Sequence, residues 1–252
     1  MLNIVIPMAG RGSRFQKAGF TLPKPLIPVH GRPMIRLVIQ NLRPKCDHRF
    51  IFLCLEEHIR TYKLDQSLRD WSPNCEIVLV DAVTEGAACT VLLAKDLIDN
   101  DDALMIANSD QWVDIDINDY LKFMETSGAD GLIMTMTADD PKWSFVRFNE
   151  QSAICEVVEK EVVSNEATVG IYNYCRGKDY VEAAEAMIAR DFRVNGEFYV
   201  APAYNEMIAK NMEIECYNIG SEANGMYGLG IPTDLSKFES LPISQKAISQ
   251  IS

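Results

Sequence analysis

The chain has 252 residues, 48% of them hydrophobic, with a formal net charge of -12 and an isoelectric point of about 4.7. That supplies the core of one large α/β domain, or of a domain with a small appendage. The acidic balance excludes a general partner role with nucleic acid or anionic lipid, because long-range repulsion opposes encounter; a small polyanion held by the local field of one cleft remains open.

Strand-like apolar runs alternate with amphipathic stretches through the first half. Ile4–Ile6 reads as a first strand entering a glycine loop. Pro33 opens a helix whose Ile35, Val38, Ile39 and Leu42 share a face. The spacing then predicts a strand over 50–55, a helix over 56–68, a strand over 77–80, a helix over 88–98 and a strand over 103–107. A helix over 116–126, capped by Asp116, and a strand over 131–137 follow. The second half is less regular, with strands expected over 145–148, 154–159, 168–174 and 213–218. Helices are expected over 178–189, 203–210 and 232–241. The β-α alternation argues for a mainly parallel, three-layer sheet with its ligands beyond the carboxyl ends of the strands. We expect one domain, 1–252, with a nucleotide half (about 1–140), an acceptor half (about 141–241) and a frayed tail (242–252).

Leu2 to Met8 is too short for the apolar core of a secretion leader, and no apolar run nears the ~18 residues that span a bilayer. Seven scattered cysteines, odd in number and without a CxxC pair, read as reduced, mostly buried thiols. Both features point to a cytoplasmic protein without a membrane partner. Oligomeric state is not encoded in any pattern of the sequence.

The chemistry concentrates near the start. Met8-Ala9-Gly10-Arg11-Gly12-Ser13-Arg14-Phe15 follows the first strand directly. Small residues there bring backbone N–H groups against phosphate, and Arg14 adds a guanidinium that grips phosphate oxygens bidentately. The loop is not a dinucleotide fingerprint, since Phe15 replaces the third glycine, nor a Walker loop, since no GKS or GKT ends it. Lys24 stands between Pro23 and Pro25, whose fixed backbone lowers the entropic cost of aiming the ammonium. Asp110 follows the strand over 103–107 after a short polar step, a place from which a carboxylate can hold Mg2+ against substrate phosphates. Gly86, Ala87 and Ala88 open a helix with residues small enough for a planar base to approach; tight helix packing explains them equally well.

Together, Met8–Phe15 and Pro23-Lys24-Pro25-Leu26 resemble the signature of nucleotidylyltransferases that make nucleotide-activated sugars and related metabolites. The resemblance extends to about Leu241. It implies a Rossmann-like, GT-A-like nucleotidyltransferase fold and the transfer of NMP from an NTP to a phosphorylated acceptor, with pyrophosphate released. It implies Mg2+ as cofactor, Arg14 on the β/γ-phosphates and Lys24 on the α-phosphate. Backbone contacts from Met8, Ala9, Gly10, Arg11, Gly12 and Ser13, together with Gly86, Ala87 and Ala88, would hold the nucleotide. It further implies that Lys160 in Val158-Glu159-Lys160 binds the acceptor phosphate, and that Glu159, Gly170 and Glu197 line the acceptor site. Relatives place a second metal aspartate where this chain has Gly228; Asp234 is the nearest substitute, and it also reads as ordinary helix capping. Within the family the pattern is similar to capsule-associated cytidylyltransferases, which implies CTP as the nucleotide and phosphoglutamine as an acceptor, giving CDP-glutamine. A hexose-1-phosphate nucleotidylyltransferase is the alternative. A metal-dependent glycosyltransferase using Asp114-Ile115-Asp116, and a non-catalytic nucleotide sensor, are alternatives of another class.

Overall fold

The computed structural model describes residues 1–249 and 251. Its central strand, β1 (Leu2–Pro7), is buried on both faces. Val5 enters one apolar cluster, while Ile4 and Ile6 enter another, so the period-2 alternation of a strand feeds two helical layers. After β1 come α1 (Ser13–Lys17), a 3-10 turn (Lys24–Leu26), a short hairpin of β2 (Pro28–Val29) and β3 (Arg32–Pro33), and α2 (Met34–Leu42). Next are β4 (His48–Leu55), α3 (Glu56–Tyr62), α4 (Leu64–Trp71), β5 (Glu76–Val80), α5 (Ala87–Leu92), α6 (Lys95–Ile98) and β6 (Ala103–Ala107). Then follow β7 (Gln111–Val113), α7 (Ile117–Ser127), β8 (Gly131–Thr137), β9 (Ser144–Phe148), β10 (Ile154–Glu159) and β11 (Glu166–Tyr174). The chain continues through α8 (Gly177–Ala189), α9 (Tyr204–Ala209), β12 (Ile214–Glu222), β13 (Gly225–Gly228), α10 (Pro232–Ser240) and α11 (Pro242–Ser249).

One sheet carries the order β5-β4-β1-β6-β11-β8-β12-β13-β7, with β9 pairing to both β10 and β11. β5, β4, β1 and β6 are parallel neighbours. β11 runs antiparallel to β6, β8 and β9, and β7 antiparallel to β13. The fold is therefore α/β and Rossmann-like, with most strands pointing one way and the second half of the chain joined to the first through β11.

A third apolar cluster joins Phe15, Ile27, Met34 and Trp112 to Tyr227, Leu235, Phe238 and Ala247. It ties the glycine loop to the last two helices. This corrects the expectation of a frayed tail: residues 242–249 are helical, and Ser244 and Ala247 are buried. Gln250 and Ser252 lie outside the described residues. The helix expected over 56–68 is two helices, broken where Lys63 takes a left-handed backbone at φ 51°. The helix expected over 88–98 is likewise split between α5 and α6. Burial of the thiols is uneven: Cys54 and Cys75 are buried, whereas Cys46 and Cys175 are exposed. Among the described residues no helix is long and apolar enough to cross a membrane.

Candidate active site

β1 and β6 are adjacent and parallel, so the loops leaving their carboxyl ends meet on one rim. The β1 loop carries the glycines and Arg14; the β6 loop carries Asn108, Ser109 and Asp110. Lys24 opens the 3-10 turn, which is closed by Leu26 N–H donating to Pro23 O and Ile27 N–H to Lys24 O. From there the Lys24 ammonium reaches Asp110 Oδ2 at 2.8 Å, each side chain 23% exposed. Gly12 is left-handed at φ 62°, and a Cβ there would stand 3.1 Å from Lys24 Cβ. The loop thus packs directly on the lysine, and a glycine is needed for both reasons.

A cavity of about 190 Å³ opens beside this pair. Met8, Ala9, Gly10, Lys24, Gly86 and Ala87 line it, as the sequence suggested. Val83, Thr84, Thr90 and Ser109 line it as well. Thr84 and Thr90 share a hydroxyl–hydroxyl hydrogen bond of 2.6 Å, and Thr84 also donates to Gly86 O, which shapes the turn into α5. No pattern flagged these positions, because a threonine on a helix entry has many ordinary uses. Gly86 adopts φ 137°, and a Cβ there would lie 2.3 Å from Phe198 O. Phe198 N–H donates to Glu85 O, and Ala88 N–H donates to Phe198 O.

Two of the expected nucleotide contacts are spent elsewhere. Ala88 is fully buried in the core, with its N–H committed to Phe198, so neither its side chain nor its donor faces the cavity. Met8 lines the cavity, but its N–H donates to Leu53 O of β4. Arg11, Ser13 and Arg14 are exposed on the loop outside the cavity wall.

In the second half of the chain, Lys160 follows β10 with a left-handed backbone at φ 60°. Its ammonium bonds the Tyr199 hydroxyl and sits 4.6 Å over that ring. The Tyr199 bond raises its pKa, with partial burial opposing. Glu159 is half-buried and accepts from Ser144 Oγ. Burial pushes its carboxyl above the usual range; Ser144 and Lys160 pull it down and the charge of Glu197 pushes it up. Glu197 itself lines the cavity of Met8, Lys24 and Gly86. Gly170, at φ 81°, is packed on the β6 loop: Asn108 N–H donates to Gly170 O, and a Cβ would lie 2.0 Å from Asn108 Nδ2.

Asp110 is held by a strap the sequence did not mark. Leu229 N–H donates to Asp110 O, and a Cβ on Gly230 would stand 2.5 Å from Asp110 Oδ2. At the other end of this strap, a Cβ on Gly228 would stand 3.4 Å from Asp234 Oδ2. Asp234 opens onto a small cleft with Glu222, Tyr227 and Lys237. Burial raises its pKa, against the cations Lys142, Lys237 and Arg14. Asp114 is paired with Lys246 at 2.6 Å, and Asp116 caps α7 by accepting from Asn118 N–H. The two carboxylates of Asp114-Ile115-Asp116 are therefore engaged in the fold.

A family model described as nucleotidyl transferase matches residues 4–191. The chain belongs to the nucleotidyl transferase family. It is 26% identical over 178 residues to a mannose-1-phosphate guanylyltransferase catalytic subunit beta of Dictyostelium discoideum, covering 68% of this chain and 49% of that protein. It is 24% identical over 240 residues to a bifunctional GlmU protein of Methanococcus aeolicus, covering 93% of this chain and 53% of the other. The chain thus spans about half the length of these curated relatives. Among solved structures, a nucleoside-diphosphate-sugar pyrophosphorylase from Vibrio cholerae superposes with a TM-score of 0.80 at 26% identity, covering 94% of this chain and 100% of the other.

Proposed function

We propose that this chain is a nucleotidylyltransferase that moves NMP from an NTP onto a phosphorylated small acceptor and releases pyrophosphate. The observation that carries the reading is the Lys24–Asp110 pair at the mouth of the base cavity, with Glu197 linking that cavity to Lys160 and Glu159. The acceptor phosphate oxygen attacks the α-phosphorus in line, and the P–O bond to pyrophosphate breaks. A phosphate oxyanion is already a nucleophile near neutral pH, so no general base is needed. Catalysis reduces to holding two anions together and stabilising spreading charge. Lys24 neutralises the α-phosphate, exposed Arg14 the β/γ end, and Lys160 the acceptor phosphate. Gly10, Gly86 and Ala87 leave room for the base, and Gly12 lets the loop close on Lys24.

The donor set suits Mg2+, which binds through one or two carboxylates plus substrate phosphates and water. Asp110 would hold it, with Asp234 at the far end of the Gly228–Gly230 strap as the second carboxylate. Bound there, the ion would screen the charge of the transferring group. We read 1–140 as the nucleotide half and 141–241 as the acceptor half of one domain in a cytoplasmic enzyme.

For the substrates, CTP and phosphoglutamine, giving CDP-glutamine for capsule modification, form our narrower reading, supported by the Gly228-bearing C-terminal pattern. A hexose 1-phosphate is favoured by the relatives, one of which acts on mannose 1-phosphate by name. Pyrophosphate release across four NTPs and a panel of phosphorylated acceptors separates the two. With the best pair, Lys24→Ala should lose ~100-fold in turnover, about 3 kcal/mol of lost charge stabilisation. Lys160→Ala should mainly raise the acceptor KM. Full turnover in a folded Lys24→Ala protein would sink the reading.

A further inference from the structure

Behind Lys160 lies a line of hydroxyls that the reaction above does not use. β9 and β10 set Ser144 directly opposite Glu159 in antiparallel register. Ser144 is buried, and its Oγ donates to Glu159 Oε2. Tyr172 on β11 is buried as well, and its hydroxyl bonds Thr168 Oγ1 at 3.0 Å. Thr168, Tyr172, Ser144 and Glu159 thus form a row joined by two hydrogen bonds, Thr168–Tyr172 in the core and Ser144–Glu159 at its edge. Only the last of them is half-exposed. Such a row fixes the direction of its terminal carboxylate, because turning Glu159 away would strand a buried hydroxyl.

Charge adds a second observation. Among the described residues neither Glu159 nor Glu197 makes an ion pair within the distance of a salt bridge, and the cation acting on Glu159 is Lys160. An acceptor phosphate would claim that ammonium. Glu159 would then face the rest of the acceptor without the cation that acts on it, and Glu197 would stand beside it without an ion pair.

We infer that the Thr168–Tyr172–Ser144–Glu159 row, together with Glu197, selects an acceptor whose body carries an N–H donor, an ammonium or amide, and that Ser144 is the positioning residue that aims Glu159 at it. The inference rests on the nucleotidyl-transfer reading and names the acceptor chemistry of that same site. A second anionic group presented to this wall without a donor is repelled.

The test is binding of three probes to the full chain in the presence of CTP: O-phosphoethanolamine, glucose 1-phosphate and 3-phosphoglycerate, measured by ligand-observed NMR. CTP affinity is measured separately by calorimetry. O-Phosphoethanolamine should bind tightest and 3-phosphoglycerate weakest, the two differing by about tenfold or more, as like-charge juxtaposition predicts. Ser144→Ala and Glu159→Gln should each erase that ranking, and the double variant should add nothing to either. Ser144→Thr, which keeps the hydroxyl, should retain it. CTP affinity should stay constant throughout, a split that general loosening of the fold would not give. Equal binding of the three probes, tightest binding of glucose 1-phosphate, or an intact ranking in Ser144→Ala overturns the inference. So does failure of all three to bind while CTP binds. Where CTP does not bind, the probes are read with whichever of the four NTPs does; failure of all four to bind the wild-type chain removes the parent reading and this inference together.

Discussion

Lys24 and Asp110 are each assigned to a different partner, one to phosphate and one to metal, yet in the free protein they hold each other at 2.8 Å. The ammonium is therefore a built-in competitor for the carboxylate, and an ion arriving at Asp110 must displace it. Partly buried pairs of this kind attract each other more strongly than exposed ones, being less screened by solvent. Replacing Lys24 by methionine keeps the stem and removes the competitor. Mn2+ binding, followed by EPR, should then tighten by roughly tenfold, the scale of one lost charge interaction of about 1.4 kcal/mol. Asp110→Asn should lose that binding. Equal Mn2+ affinity in Lys24→Met and wild type would show that the pair does not gate the ion. Lys24 and Asp110 were legible because proline bracing and a strand-end carboxylate are local patterns. Gly230 was not, since its need arises only where Asp110 comes to rest against it from more than a hundred residues away in sequence, roughly a whole small domain's length of chain.

At the scale of elements, strands buried on both faces announce themselves. Residues 103–107 and 131–137 fall where the apolar runs placed them, and so does the partly exposed strand over 154–159. The short pairings β2, β3, β7 and β13 carry too few residues for any period to show, and pairing partners define them instead. The split at Lys63 escaped notice because a lysine is not a helix breaker by composition; only its left-handed backbone ends α3. The tail escaped because its apolar positions are isolated, and they acquire meaning only against Phe238 and Trp112. α11 also reaches the β2–β3 turn, where Ser244 Oγ and the His30 ring are 2.7 Å apart. Ala247→Asp should therefore destabilise the whole fold by about 2–4 kcal/mol, since it buries an unpaired charge. Thermal unfolding checks this, and an unchanged Tm would mean that α11 does not hold to the body.

The whole molecule depends on one joint. β11 runs antiparallel beside parallel β6, with a register shift between Thr168 and Tyr172. Gly170 sits in that shift, against Asn108, two residues before Asp110. Here the second half of the chain is bolted to the first. Gly170→Ala would force a Cβ into Asn108 with the backbone in a left-handed state, and a strained position of this kind costs about 1–3 kcal/mol. Turnover should fall further than stability, because the displaced loop is the one that carries Asp110. Pyrophosphate release and Tm measured on the same preparation test this; a loss in Tm alone would mean the joint is only structural. The parallel half of the architecture was readable as β-α alternation. The grafted half was not, because the pairing of β11 with β6, β8 and β9 is a long-range choice that no local pattern encodes.

The apolar cluster under the glycine loop has a consequence for how the protein is made. Phe15, which anchors the loop, is buried against Leu235, Phe238 and Ala247 from the last two helices. On the ribosome the loop emerges early and its cover emerges late. Until α10 and α11 clear the exit tunnel, the nascent chain already has Arg14, Lys24 and Asp110 but no floor beneath them. A chain released before that point would carry those side chains without the apolar floor on which the loop rests.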